Sequence, residues 1–249
     1  MAERRRILVT GAASGIGAAL ARRLAGPDAA LLLATRANAA GLAAVAAACS
    51  ARGALAETAL ADLAAPDGAA ALVEAANAAF GGLDSLVANA GFADRTPFAA
   101  LDAGGYAASA DAIGAGFFRL CAAALPLLPP GGRIVAVSSF VAHVFRAHVQ
   151  SFPASAAAKA SVEAMVRALA HELGPRRITV NAVAPGFIRK DEGAHRAMPP
   201  ERLPAVEAEI PLGRIGEPDD VAAAIAFLLS PDAGYITGQV IHVSGGLVI

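Results

Sequence analysis

The sequence predicts an α/β protein, a single domain holding one doubly wound parallel sheet with helices on both faces. Three observations predict it. Short apolar runs such as Ile7-Leu8-Val9 and Leu31-Leu32-Leu33 recur along the chain, and uninterrupted apolar character suits strands covered on both faces. Stretches with helical spacing alternate with these runs, and no polar linker interrupts the alternation. The first run leads directly into Thr10-Gly11-Ala12-Ala13-Ser14-Gly15-Ile16-Gly17. Its G-x-x-x-G-x-G spacing lets the chain turn sharply off a strand and lets a phosphate approach the backbone.

Composition narrows the class further. A chain of 249 residues with 56% hydrophobic and 16% charged residues can bury a sizeable core, as one large domain or two small ones. The unbroken alternation favours one, spanning 1–249. A net charge of −1 gives no electrostatic footprint for nucleic acid or an anionic membrane. Cys49 and Cys121 are too few and too far apart for a disulfide framework or a metal cluster, so no metal and a reducing cytoplasm are expected. The apolar run after Arg4-Arg5-Arg6 breaks at Thr10-Gly11, well short of a signal-peptide core. No apolar stretch approaches the roughly twenty residues that span a bilayer.

The elements follow in order. A helix opening at Ile16 aims its free N–H groups and positive dipole end at a pyrophosphate, and it ends near Gly26-Pro27. The second strand covers 30–34, with Thr35-Arg36 directly after it. A side chain there meets the adenosine ribose, where an acid accepts from the 2′-OH and a cation accommodates a 2′-phosphate. The acid is missing and Arg36 is present, which favours NADP over NAD. A helix is expected over 39–52, and the third strand ends at Leu60-Ala61-Asp62-Leu63, where Asp62 caps a loop or touches an adenine edge. A helix over 69–80 stops at Gly81-Gly82, and strand 85–88 runs into Asn89-Ala90-Gly91. One long helix is expected over 106–128, then strand 133–137 with Ser138-Ser139 just past its end. Ligands bind outside the carboxyl ends of such strands. The helix over 156–173 carries an apolar stripe of Val162, Met165, Val166, Leu169 and Leu173, read as core or subunit interface. Strand 178–183 leads to Pro185-Gly186. Residues 187–212 carry charges and prolines and read as a substrate-binding lid, followed by helix 219–229 and strand 239–243.

Together these motifs resemble the short-chain dehydrogenase/reductase family, especially its compact members similar to 3-oxoacyl-(acyl-carrier-protein) reductase. The resemblance covers essentially the whole chain. It rests on residues 10–17, Asp62-Leu63, Asn89-Ala90-Gly91, 132–139, Lys159, 181–188, 211–216 and 235–246, in the family's order. It implies a seven-stranded Rossmann sheet, a nicotinamide cofactor, and a small-molecule carbonyl or alcohol substrate. It also implies homodimers or homotetramers built on the two long central helices and the C-terminal segment. The cofactor residues it implies are Thr10, Gly11, Ser14, Gly15, Ile16, Gly17, Arg36, Asp62, Leu63, Asn89, Ala90, Gly91, Lys159, Pro185, Gly186 and Ile188.

The family's proton-transfer set is an Asn in the fourth helix, a Ser after strand five, and Tyr-x-x-x-Lys. Ser139 fits the serine, and Lys159 fits the lysine by its spacing to Asn181–Ile188. Lys159 and Lys190 are the only lysines against eighteen arginines, so an ammonium at 159 is wanted as a compact point charge that arginine cannot imitate. The tyrosine is absent. Ser155 stands four residues before Lys159, while the spacing from Ser139 points to Phe152; neither offers a phenol. Ile113 stands where the asparagine belongs, and Lys190 where a threonine usually contacts the carboxamide. An aliphatic hydroxyl is a far weaker acid than a phenol, so His143, His148 and a desolvated Lys159 are further candidate proton carriers. The candidate catalytic residues are therefore Ser139, Lys159, Ser155 and His143. Phe140, Val141, Val144 and Phe145 suggest a partly hydrophobic pocket. Hydride transfer at a rearranged site is the leading reading. A nucleotide-binding homologue without turnover and non-redox chemistry on the same fold are the alternatives.

Overall fold

The computed structural model describes residues 4–145, 151–190 and 200–248. Seven strands form one sheet in which every pairing is parallel, in the order β3-β2-β1-β4-β5-β6-β7. They are β1 (Arg5–Thr10), β2 (Ala29–Thr35), β3 (Leu55–Leu60), β4 (Ser85–Ala88), β5 (Arg133–Val137), β6 (Thr179–Pro185) and β7 (Val240–Val243). Between them run α1 (Gly15–Leu24), α2 (Ala39–Ser50), α3 (Gly68–Phe80), α4 (Ala103–Ser109), α5 (Gly116–Ala124), α6 (Pro153–Leu173), α7 (Leu203–Ala208) and α8 (Pro218–Leu229).

Alternation along the strands explains the two-sided core. Ile7, Val9, Leu31 and Leu33 pack with α1, α2 and α8 on one face, while Leu8, Leu32, Leu86 and Ile134 pack with α3, α5 and α6 on the other. Successive strand residues point to opposite faces, so a strand buried on both sides must be apolar throughout. β3 ends the sheet and leaves Leu55 and Leu60 exposed. The α6 stripe joins the second core, with Val162, Val166 and Leu173 buried and Met165 and Leu169 packed against them.

One expected element is built differently. The long helix after β4 starts at Ala103, with Asp102 accepting from the Gly105 amide at 2.7 Å as its cap. It then opens into a π-helical turn, Ala110–Ala115, before α5 resumes. The sequence around the turn includes Gly104, Gly105, Gly114 and Gly116, which hold a helix weakly. A Cβ on Gly114 would come 2.8 Å from Ser161 Oγ on α6, so the bare glycine is what lets the two helices approach. Such turns recur at functional sites, and this one carries Ile113.

Candidate active site

The strand order reverses around β1 and β4, and a crevice opens there beyond their carboxyl ends. Thr10 closes β1. Its buried hydroxyl donates to Val87 O at 3.3 Å and accepts from the Asn89 and Ala90 amides at 3.1 and 3.0 Å. Asn89 Nδ2 answers by donating to Thr10 O at 2.9 Å and Gly11 O at 3.1 Å. The glycine loop and Asn89-Ala90-Gly91 are therefore one clamped unit. Gly11 sits at φ 66°, and a Cβ there would lie 2.8 Å from Asn89 Nδ2. A Cβ on Gly17 would run into the carbonyl of Gly11. Gly15, at φ 53°, is different: a Cβ there would meet nothing within 4 Å. That space lies over the first turn of α1, and Ser14, the exposed N-cap, makes no side-chain cap bond. An open cradle at a helix start fits a pyrophosphate.

The remaining sequence-predicted cofactor positions border the same end of the sheet. Arg36 is exposed just past β2, whose Ala34 carbonyl accepts from the Ala12 amide of the glycine loop at 2.9 Å. Asp62 accepts from the Ala64 amide at 2.9 Å, capping the loop after β3, and Leu63 is buried beneath it. Gly186 donates to Val243 O at 3.0 Å, and a Cβ on it would press to 2.9 Å from Ser244 Cα. Ile188 forms an isolated parallel bridge with Gly216.

On the chemical side, Lys159 is 8% exposed and its Nζ donates to Val137 O, the last carbonyl of β5, at 2.5 Å. Burial lowers its pKa to about 8, against the pull of Glu163, whose charge raises it. A Cβ on Gly91 would come 3.1 Å from Lys159 Nζ, so the bare glycine leaves room for the ammonium beside the clamped loop. Ser139 caps the turn Phe140–Ala142, its Oγ accepting from the Val141 amide at 3.4 Å. Ser155 lies in the first turn of α6, buried. Its Oγ accepts from the Asp94 amide at 2.8 Å and reaches Phe92 O at 3.5 Å. Ile113 is buried and, with Thr10, Ala88, Val137, Lys159 and Val162, lines a cavity of about 10 Å³, about the smallest that holds a water.

Two residues beside this site escaped sequence reasoning. Glu163 is buried, accepts from Ser138 Oγ at 2.5 Å, and its Oε1 lies 2.8 Å from His143 Nε2. His242 of β7 meets the His143 ring edge-on, centroids 4.6 Å apart. Burial first, then neighbouring His143, lowers the pKa of His242, partly offset by Glu163. The one signal available was a glutamate inside an apolar helical stripe, between Val162 and Met165. His143 thus sits in a charged network rather than against Ser139. His148 and the middle of the 187–212 segment lie outside the described residues.

Around the pocket mouth, Phe140, Val141, Val206, Ile210, Ile215 and Leu247 form a separate apolar cluster, with Phe152, Phe187 and Leu203 packed on it. Phe140 and Phe187 bring their ring centroids to 4.6 Å. Among the described residues no three His, Cys, Asp or Glu side chains converge as metal ligands. No helix among them is long and apolar enough to cross a membrane.

Comparison with known proteins places this geometry in context. The sequence profile described as Enoyl-(Acyl carrier protein) reductase matches residues 11–248. An uncharacterized oxidoreductase of Methylorubrum extorquens is 39% identical over 245 residues, 96% of each chain. The 3-oxoacyl-(acyl-carrier-protein) reductase of Pseudomonas aeruginosa is 34% identical over 242 residues, again 96% of each. A short chain dehydrogenase from Burkholderia cenocepacia, solved in complex with NADP, superimposes with a TM-score of 0.90 at 34% identity, covering 98% of both chains.

Proposed function

The chain belongs to the short-chain dehydrogenase/reductase family and is an NAD(P)-dependent oxidoreductase acting between CH–OH and C=O; we propose that it uses NADP(H) and moves the proton through Lys159, in the absence of a tyrosine. The NADP preference is supported by the solved NADP complex of a relative and by exposed Arg36, a cation where a 2′-phosphate would lie. Thr10, Gly11, Ser14, Gly15, Ile16 and Gly17 would hold the pyrophosphate. Asp62, Leu63, Asn89, Ala90, Gly91, Pro185, Gly186 and Ile188 would frame the adenosine and nicotinamide ends. Bound there, the cofactor supplies or takes the hydride.

The chain's own residues supply the proton. As a carbonyl carbon gains hydride, its oxygen gains negative charge and needs a proton in the transition state. Lys159 carries the reading: it is buried, it lies beside Gly91 where a side chain would crowd it, and burial brings its pKa to about 8. A group near the working pH both holds and releases a proton. In reduction, an N–H bond of Lys159 breaks as the product O–H forms; in oxidation the transfer reverses. Ser139 orients the substrate oxygen, Ser155 holds residues 92–94 against the site, and His143 joins it through Glu163. Residues 187–212 serve as the lid of a single 1–249 domain, since Phe187, Leu203 and Val206 share the apolar cluster with Phe140. We assign the protein to the cytoplasm on its two free buried thiols, Cys49 and Cys121, and to a homodimer or homotetramer on its exposed apolar helix face.

The test is direct. NADPH and NADH are titrated against a panel of ketones, aldehydes and quinones while nicotinamide absorbance is followed. NADPH oxidation is expected with at least one carbonyl class, and Arg36→Asp should weaken NADPH binding about tenfold or more relative to NADH. Tight binding with no oxidation across the panel would support a sensor or scaffold instead.

A further inference from the structure

Lys159 and Glu163 are the only buried charged side chains among the described residues. They lie one turn apart on α6, where side chains at i and i+4 share a face. Neither charge is tolerable alone in such a place, because removing water from an ion is costly unless a partner replaces it. We propose that Glu163 is a positioning residue of the oxidoreductase site, the counter-charge that keeps the Lys159 ammonium protonated inside the protein.

Its surroundings hold the carboxylate in place. From β5, Ser138 donates to Oε1 at 2.5 Å; from the turn beyond it, His143 Nε2 meets the same oxygen at 2.8 Å. From α6 itself, Arg167 Nη2 stands 4.0 Å from Oε2, with 58% of its side chain in solvent, where screening leaves it little influence. From β7, His242 faces the network through the His143 ring, its pKa lowered by burial. The 5% exposed carboxylate and the Lys159 ammonium reach adjacent residues just past and at the end of β5, Ser138 and Val137, near each other without a direct ion pair. On the Ser155 side the nearest acid that the hydrogen bonds bring up is Asp94, whose amide donates to Ser155 Oγ at 2.8 Å and whose carboxylate accepts from Thr96. The acidity of Lys159 is set by burial in one direction and Glu163 in the other.

The proposal rests on Lys159 as proton carrier, but its test reads charge rather than turnover. The chain has two lysines, Lys159 and Lys190, so full-length protein carrying carbon-13 lysine gives two Cε resonances, and Lys190→Arg assigns them. The Lys159 resonance is expected to titrate with a midpoint at about 8. In Glu163→Gln that midpoint should fall by about one unit, a tenfold change in protonation ratio. Glu163→Asp should hold it near the native value, and Ser138→Ala should leave it in place. An unchanged midpoint in folded Glu163→Gln overturns the proposal, as does an equal fall in Ser138→Ala, which would assign the effect to packing. If Glu163→Gln does not fold, His143→Lys sets a fixed cation against the same carboxylate and must lower the midpoint; no change again overturns it. The pH midpoint of carbonyl reduction should follow the resonance. A shifted resonance without any carbonyl reduction would leave the counter-charge standing and overturn the Lys159 catalytic reading alone.

Discussion

Ser155 shows at the scale of one residue how the site departs from its family. Its hydroxyl is spent on the Asp94 amide and the Phe92 carbonyl, a job of tying a loop to the first turn of α6. It stands four residues before Lys159, one of the two registers for the family's tyrosine. Ser155→Tyr is therefore expected to raise kcat by roughly 10²–10⁴, the usual worth of a well-matched general acid, at a cost of about 1 kcal/mol for the lost backbone tie and a further 1–3 kcal/mol, roughly, for seating the ring at a buried position. Steady-state kinetics and urea denaturation read the two effects separately. Lys159 carries a pH prediction. Its folded pKa, about 8, lies below its ordinary 10.5, so the buried ammonium destabilises the fold. That cost is fully present below about pH 8 and disappears as the pH rises toward 10.5, where the unfolded chain also loses its proton. Lys159→Met combined with Glu163→Gln, which leaves neither buried charge uncompensated, should accordingly be more stable than the native protein at pH 7 by about 1–2 kcal/mol, after subtracting the bond to Val137 O. The gain should shrink steadily between pH 8 and pH 10, while turnover is lost at every pH.

At the scale of elements, the glycine loop and the π-helical turn each set a distance that a side chain would spoil. Gly15 and Gly17 separate two reasons for glycine. Gly15 needs only its positive φ, since a Cβ there enters open space, whereas a Cβ on Gly17 strikes the Gly11 backbone. Gly15→Ala is expected to cost about 1 kcal/mol of stability and to weaken NADPH binding by narrowing the cradle. Gly17→Ala should cost more on both counts, because backbone cannot yield as a flexible side chain can. Calorimetry for binding and thermal melts for stability decide it; equal effects would contradict this division. The π-helical turn does for α6 what Gly17 does for β1. It lets Gly114 seat against Ser161 and turns Ile113 toward the cavity beside Lys159.

For the whole molecule, the two-sided sheet leaves few apolar side chains without cover, which makes the exceptions informative. Phe118 on α5 is 61% exposed and Tyr106 on α4 is 51% exposed, both on the first of the two long helices that the proposed homodimer or homotetramer would use. Isolated exposed aromatics are ordinary, whereas contiguous apolar patches mark association surfaces. Phe118→Glu is expected to lower the mass measured by light scattering to that of a smaller assembly, with the far-ultraviolet circular dichroism unchanged. An unchanged mass would move the interface elsewhere.

The sequence by itself determined the fold and marked the residues proposed to hold the cofactor. Continuous apolar runs specify a sheet buried on both faces, and the limits of β4 and β5 fall where the residues predict them. The spaced glycines, Asn89 and Arg36 are local signals, because phosphate binding at a helix start is itself a local geometry. The tertiary structure alone decided which polar side chains meet around Glu163 and His143. The sheet register brings Ser138 at the end of β5 onto Glu163, and β7 carries His242 beside His143. The break in the long helix was equally hidden, since a π turn is chosen by how closely α6 must approach Gly114. Charge partners such as Lys159 and Glu163 gain their meaning from burial, and burial is a property of the packed molecule rather than of any stretch of its chain.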